Sequence, residues 1–429
     1  MKGFRLPEWM KNVLIIGLSC SALYLFTLSP LYQNSPLKDW TVLFLDHTQK
    51  TDGAAVSLAS ALQPARIAVR NETGCYGVQY DTSAVDDAYA QVGSLLENAL
   101  SGADTAQTVS EAQWQQALTK YGVYFDFSGS IPLSVLASGQ PVSETALSAS
   151  ARKFLLALED DRVLLYYQET ASGLFYSCLT SLSGADHLLP IVNSFTPNGA
   201  FFAFEDPLYE QCDPNMLLTA SVPQPMEYSR SIPFHSEEGD SLNSTLTALS
   251  FSGPSVNSYQ IGADTIYRSN EDTLQLSDGG TLTYHGGGTR YPVAAEGDAL
   301  TLKEAIETTR QLTLPTLESF CGSARLFLLS AVQEGRVITV TYGYCLDGAI
   351  VWLDDTGWAA QFQFSNGLLT DYTLKFRSYT ATGATTLLLP PLQAAAAMTA
   401  LGAEHSELLL LYQDSGSENG TIAAGWVAG

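Results

Sequence analysis

The chain has 429 residues, with 44 acidic side chains against 20 basic ones, a formal net charge of −24. That length suits two or three domains, and 46 % apolar residues supply real cores, so the chain is no disordered acidic tail. Only 15 % of residues are charged, and phosphate backbones repel a body this negative, which excludes DNA and RNA as partners.

From Asn12 to Tyr32 no residue is charged, and Val13 to Leu28 is almost wholly apolar. At ~1.5 Å per residue this run matches a ~30 Å hydrocarbon core, which predicts a transmembrane anchor over 13–31. Lys2, Arg5 and Lys11 precede it, offset only by Glu8. The positive-inside rule then makes 1–12 a cytoplasmic stub and places the rest of the chain outside the cell membrane, as a single-pass protein. The first 31 residues hold three basic and one acidic side chain, so 17 basic and 43 acidic remain outside, a net charge of −26. A cleaved signal peptide is the competing reading. Against it, no A-x-A site follows the run, and Gly17 stands where a lipobox before Cys20 carries Leu. Gly17, Cys20, Ser21 and Tyr24 share one helical stripe, a candidate face for a partner membrane helix because small residues allow close approach. A lone anchor containing a few small residues is the plainer alternative.

Beyond the anchor, an N-terminal α+β domain is expected over 38–145. It opens with a strand at Thr41–Leu45, then amphipathic helices at Asp87–Leu100 and from the capping box Ser110-Glu111-Ala112-Gln113. Tyr124, Phe125 and Phe127 read as a strand, and Ile131-Pro132-Leu133 as the start of a short helix. A middle α+β module over 146–225 carries Ser150-Ala151-Arg152-Lys153-Phe154-Leu155-Leu156, which recurs as Ser323-Ala324-Arg325-Leu326-Phe327-Leu328-Leu329. Each copy reads as strand, tight turn, strand. Residues 226–244 read as a linker. The C-terminal domain, 245–429, begins with strand-like runs that turn at Asp278-Gly279-Gly280. Its second part starts at the capping box Thr301-Leu302-Lys303-Glu304, whose helix ends near Pro315. Strands at Arg325–Val332, Arg336–Cys345 and Ile350–Leu353 follow. A hairpin with Phe362 and Phe364 on one arm and Tyr372, Leu374 and Phe376 on the other turns at Asn366-Gly367. Pro391 opens a last helix, Gly402 closes it, and Glu407–Tyr412 is the final strand. The short turns imply tandem modules of antiparallel sheet with helices packed on one face, an α+β class.

No motif names a chemistry. Ser150 and Lys153 match S-x-x-K of penicillin-binding proteins, but there is no K-T-G and the motif leads into a strand; a surface lysine is the plainer reading. His285-Gly286-Gly287-Gly288 matches an esterase oxyanion loop without the G-x-S-x-G elbow that such enzymes need, so a mobile glycine loop is expected. The five histidines are scattered, with no H-E-x-x-H, C-x-x-C or calcium-loop spacing, and no P-loop is present. No catalytic residue, metal ligand or cofactor is therefore expected. Five cysteines follow the anchor. Cys321 with Cys345, and Cys178 with Cys212, are candidate disulfides; free, buried thiols are the alternative.

With these parts placed, the chain resembles the YycH/YycI-type regulatory proteins of Gram-positive bacteria. The likeness rests on the stub, anchor and tandem α+β modules. It rests also on Leu249-Ser250-Phe251-Ser252-Gly253-Pro254, Tyr259, Tyr267 to Leu276, Asp278-Gly279, Tyr284, and Leu300 through Tyr344, Asp347-Gly348 and Arg377-Ser378-Tyr379. The resemblance implies a non-enzymatic regulator of a WalK-type sensor histidine kinase in the cell-wall two-component system. It further implies kinase contact through membrane helices, which gives the Gly17, Cys20, Ser21 and Tyr24 stripe its meaning, and a paralogous regulator as a second partner. The alternatives are an anchored cell-envelope binding or assembly module without a kinase, and a degenerate cell-wall hydrolase.

Overall fold

The computed structural model describes residues 61–137, 149–233, 239–291, 293, 299–353, 356–416 and 420–429. The anchor read over 13–31, its stripe, and the strand read at Thr41–Leu45 lie outside them. No helix among the described residues is long and apolar enough to cross a membrane.

The first sheet begins with a hairpin of β1 (Pro64–Asn71) and β2 (Gly74–Gln79). Then come α1 (Thr82–Ser101), β3 (Gln107–Val109), α2 (Glu111–Leu118), β4 (Gly122–Pro132), α3 (Leu133–Leu136), β5 (Ser150–Glu159), β6 (Arg162–Glu169) and β7 (Phe175–Ser183). Strand order is β2-β1-β4-β5-β6-β7-β3, antiparallel throughout. Alternate residues of its central strands serve two cores. Ile67, Val123, Phe125, Phe154 and Leu156 pack with Val92, Leu95 and Leu96 of α1. Ala68, Tyr124, Leu155 and Ala157 pack with Trp114 and Leu118 of α2. Helices thus cover both faces of this sheet, a departure from the expected single face, and the strands read as unbroken apolar runs for that reason. The first helix begins at Thr82 rather than Asp87, because the Asp81 carboxylate accepts the Ala84 N–H and caps it.

After β7, a π-helical turn (Gly184–Leu188) and α4 (Leu189–Val192) lead to a two-strand ladder of β8 (Phe201–Phe202) and β9 (Leu217–Leu218). The segment read as a linker contains β10 (Met226–Ser231), which lies between β20 (Ser378–Thr385) and β22 (Gly420–Ile422) in a third sheet, and the start of α5 (Asp240–Ala248). Tyr228 ties β10 to the body: it is buried, and its hydroxyl donates to Asp347 at 2.6 Å. The boundary read at 145/146 likewise falls inside one sheet, since β4 and β5 are neighbours.

The second sheet contains β11 (Asn257–Ile261), β12 (Asp264–Ser269), β13 (Asp272–Leu276) and β14 (Thr281–His285). After α6 (Leu302–Thr313) come β15 (Arg325–Glu334), β16 (Val337–Leu346), β17 (Ala349–Leu353), β18 (Ala360–Ser365) and β19 (Leu368–Lys375). Beyond α7 (Pro391–Ala400), β21 (Leu408–Asp414) and β23 (Ala424–Ala428) complete it. Its order is β11-β12-β13-β14-β19-β18-β16-β15, antiparallel. Here the burial alternates along β13, β14 and β18, as one buried face requires. The turns expected at Asp347-Gly348 and Asn366-Gly367 both have positive φ at both residues, the mirror-image turn that matches strand twist. Strand β17 runs parallel to β21 across a long connection, and the strand expected to be the last, at Glu407–Tyr412, is followed by β22 and by β23, which pairs antiparallel with β21.

The two sheets share one backbone ladder pair, a parallel bridge between Ser330 and Ser130 that links 18 strands into a mixed ladder. Both partners are irregular there: β4 loses register with β5 between Asp126 and Ile131, and β15 with β16 between Leu328 and Ser330. Bulges of this kind bend a strand away from its own sheet. Between them lies Gly129, where a β-carbon would fall inside contact distance of the Leu328 and Leu329 carbonyl oxygens. Backbone touches backbone, and only glycine fits. Gly129→Val is expected to lower stability by about 1–3 kcal/mol through overpacking, read as a lower urea midpoint at unchanged slope. The same change at Gly425, where a β-carbon meets open space, should move the midpoint little.

Candidate functional site: a buried charge junction and an open cleft

Charged residues in apolar strands must find partners, because an unpaired buried charge costs several kcal/mol. In β1, Arg66 interrupts an apolar run; in β4, Asp126 sits between Phe125 and Phe127; in β5, Arg152 and Lys153 occupy a bulge relative to β6. All four converge on Glu407, the residue before β21. Arg66 Nη1 bonds Asp126 at 2.9 Å and also bonds Glu407. Arg152 grips both acids, Asp126 at 2.7 Å and Glu407 at 2.7 Å. Lys153 Nζ lies 3.0 Å from Asp213 and 3.3 Å from Glu407. Three cations thus face three carboxylates. The Tyr80 hydroxyl closes the edge, accepting from Arg66 at 3.3 Å and from the Leu410 N–H at 3.1 Å.

Lys153, read from the sequence as a surface lysine, is 6 % exposed. Its charge is tolerated because two acids meet it. The Lys153 ammonium is engaged by Asp213 and Glu407 and is not free to activate Ser150. The repeat has a structural counterpart. Arg325, aligned with Arg152, reaches from the second sheet to Asp86 of α1 at 2.7 Å, while Arg152 reaches from the first sheet to Glu407. Each copy's arginine thus reaches an acid outside its own sheet, Asp86 on α1 or Glu407 before β21.

Burial works against the Glu407 carboxylate, but Lys153, Arg66 and Arg152 outweigh it and hold its pKa well below the ordinary carboxylate value. A carboxylate depressed on folding stabilises the fold above its unfolded pKa of about 4.3, and that contribution fades as pH falls through the lower folded value. Glu407→Gln should therefore lose about 3–5 kcal/mol at pH 7, because three cations are left under-compensated. The gap to wild type, measured by urea unfolding, should narrow as pH falls below 4.

The glycine loop after β14 is pinned. The Gly287 N–H donates to Asp272 at 3.3 Å, and Asp272 also takes the Tyr284 hydroxyl at 3.0 Å and Arg290 Nε at 2.8 Å. That N–H faces a carboxylate, which is the opposite of an oxyanion hole. No three metal-ligating side chains converge among the described residues.

The cysteine expectations resolve toward thiols. Cys75, Cys178, Cys212, Cys321 and Cys345 are all free, so neither candidate bridge forms. Cys178 packs in the α1-side core and Cys212 in a separate cluster with Met398, while the Cys321 thiol donates to the Glu318 and Ala324 carbonyls. Burial pushes Cys75, Cys178 and Cys345 up to about 11 and Cys321 to about 12. At pH 8 fewer than about one in a thousand of these groups is thiolate. Iodoacetamide at pH 8 should leave these four unmodified in the native protein and label them all after unfolding; rapid native labelling would contradict this burial.

The largest cavity at this seam opens where β4 and β15 diverge past the Ser330–Ser130 bridge. It has a volume of about 600 Å³, within the ~300–1,000 Å³ of small-ligand sites. Ser130, Glu169 and Thr170 line one side, Ser330 and Val332 the other, with Leu302 at the base of α6. A neighbouring cavity of about 300 Å³ shares Gln333 and adds Leu300, Arg336 and Phe364. Sequence reading missed Glu407, Asp126, Arg66 and this cleft; a lone charge inside an aromatic strand, as at Asp126, is the signal that was available.

An α+β chain of this kind, with two sheets meeting at a bulged seam, belongs to a fold already seen in a solved structure. No family model and no curated protein matches the sequence. The structure is similar to the crystal structure of YycH from Bacillus subtilis, with a TM-score of 0.51 and 12 % identity, over 86 % of this chain and 96 % of that one. The chain has a YycH-type fold.

Proposed function

We propose that the protein is a non-enzymatic regulator of a sensor histidine kinase, anchored in the cell membrane by residues 13–31, with its folded body outside. The YycH-type fold over 86 % of the chain carries this reading. It is supported by the uncharged run with a basic stub before it, and by the regulatory role that the family resemblance implies. The engaged Lys153 and the pinned glycine loop favour a role without catalysis. In this reading the Gly17, Cys20, Ser21 and Tyr24 stripe packs against a kinase transmembrane helix, and a paralogous regulator shares the assembly. Biasing a kinase between two states requires a few kcal/mol of differential contact between them. Co-purification of the full chain with a WalK-type kinase from the same cell tests this. Gly17→Leu with Ser21→Leu should reduce recovery of the kinase at least fivefold, and unchanged recovery would sink the stripe.

A further inference from the structure

The cleft at the seam has a wall of unusual chemistry. On one side β15 pairs with β16 through Glu334, but on the other its ladder to β4 stops at Ser330. Ala331 to Gln333 therefore present an edge with no ladder partner among the described residues, about 10 Å long at ~3.3 Å per residue, to a cavity of about 600 Å³. Alternate residues of such an edge direct N–H and C=O outward, and the group that satisfies both is another extended backbone. Val332 is 48 % exposed on this wall and offers apolar contact to an incoming strand. Across the cleft, Glu169 uses one carboxylate oxygen to accept the Ser172 hydroxyl at 2.5 Å, and among the described residues of the cavity lining no side chain is basic.

We infer that this cleft binds an extended segment of a partner polypeptide, which adds a strand to the free edge of β15 and places a lysine or arginine against Glu169. The bulges that splay β4 and β15 create the opening, and the Gly129 contact fixes its closed end. The net charge of the body favours a basic segment from a distance, and the one carboxylate in the lining favours it at contact. This binding activity goes beyond the regulatory reading and does not depend on it, since the geometry specifies the segment's backbone and charge and not the protein that carries it.

Random twelve-residue peptides displayed on phage, selected against the full chain, are a direct probe. Ala171→Trp, on an exposed turn of the cleft wall, supplies the counter-screen, with its unfolding midpoint recorded to show that it folds. Selection should enrich peptides of alternating pattern that carry a basic residue. Their synthetic forms should bind Ala171→Trp at least tenfold more weakly and Glu169→Gln at least threefold more weakly. N-methylation of alternate backbone amides in the peptide, which changes nothing in the protein, should weaken binding at least tenfold. No enrichment, or binding that survives N-methylation, would overturn the inference.

Discussion

A carboxylate taken out of water has to be met by cations, and Glu407 is met by three. That requirement organises the molecule. Arg66 comes from β1 and Arg152 and Lys153 from β5, the two strands that flank β4 in the first sheet, and Asp213 comes from the connection that follows it. Glu407 comes from the start of the last long strand. Because the ions are balanced three against three, the junction satisfies its charges internally. Removing any one leaves a charge uncompensated in the seam, which is costlier than losing a contact of the same area. The other cross-seam contacts are weaker by comparison. The Arg325–Asp86 pair is substantially exposed, and exposed pairs contribute about 0–1 kcal/mol.

The parts of the fold that could be read from sequence are those with local causes. The turns at Asp347-Gly348 and Asn366-Gly367, the capping boxes at Ser110 and Thr301, and Pro391 at a helix start each act within a few residues, and each appears where expected. The second sheet was legible because one of its faces is less buried, which leaves an alternation to read. In the first sheet both faces are covered, so the alternation vanishes and the placement of α1 and α2 on opposite faces with it. The junction was illegible for a different reason: Arg66 and Glu407 are 341 residues apart, and Arg152 and Glu407 are 255 apart. No local window contains both partners. Lys153 looked like a surface residue because the acids that bury it lie elsewhere in the chain.

The seam also gives the fold its functional shape. Two sheets that touched along a full edge would leave no opening between them. Here the shared backbone ladder is a single pair, Ser330–Ser130, beside the Gly129 contact; a common apolar core and the ions on one flank hold the sheets together, and the other flank opens as a cleft.

The distance of Glu407 from its partners sets a timetable for the growing chain. At roughly 5–20 residues per second, on the order of 20 to 70 s separate the synthesis of Arg66 from that of Glu407. Once β5 has been made, the first sheet carries three cations opposite Asp126 and, later, Asp213, and stays one carboxylate short of balance. The arrival of Glu407 supplies the missing anion, and with it the parallel strand that lies beside β17.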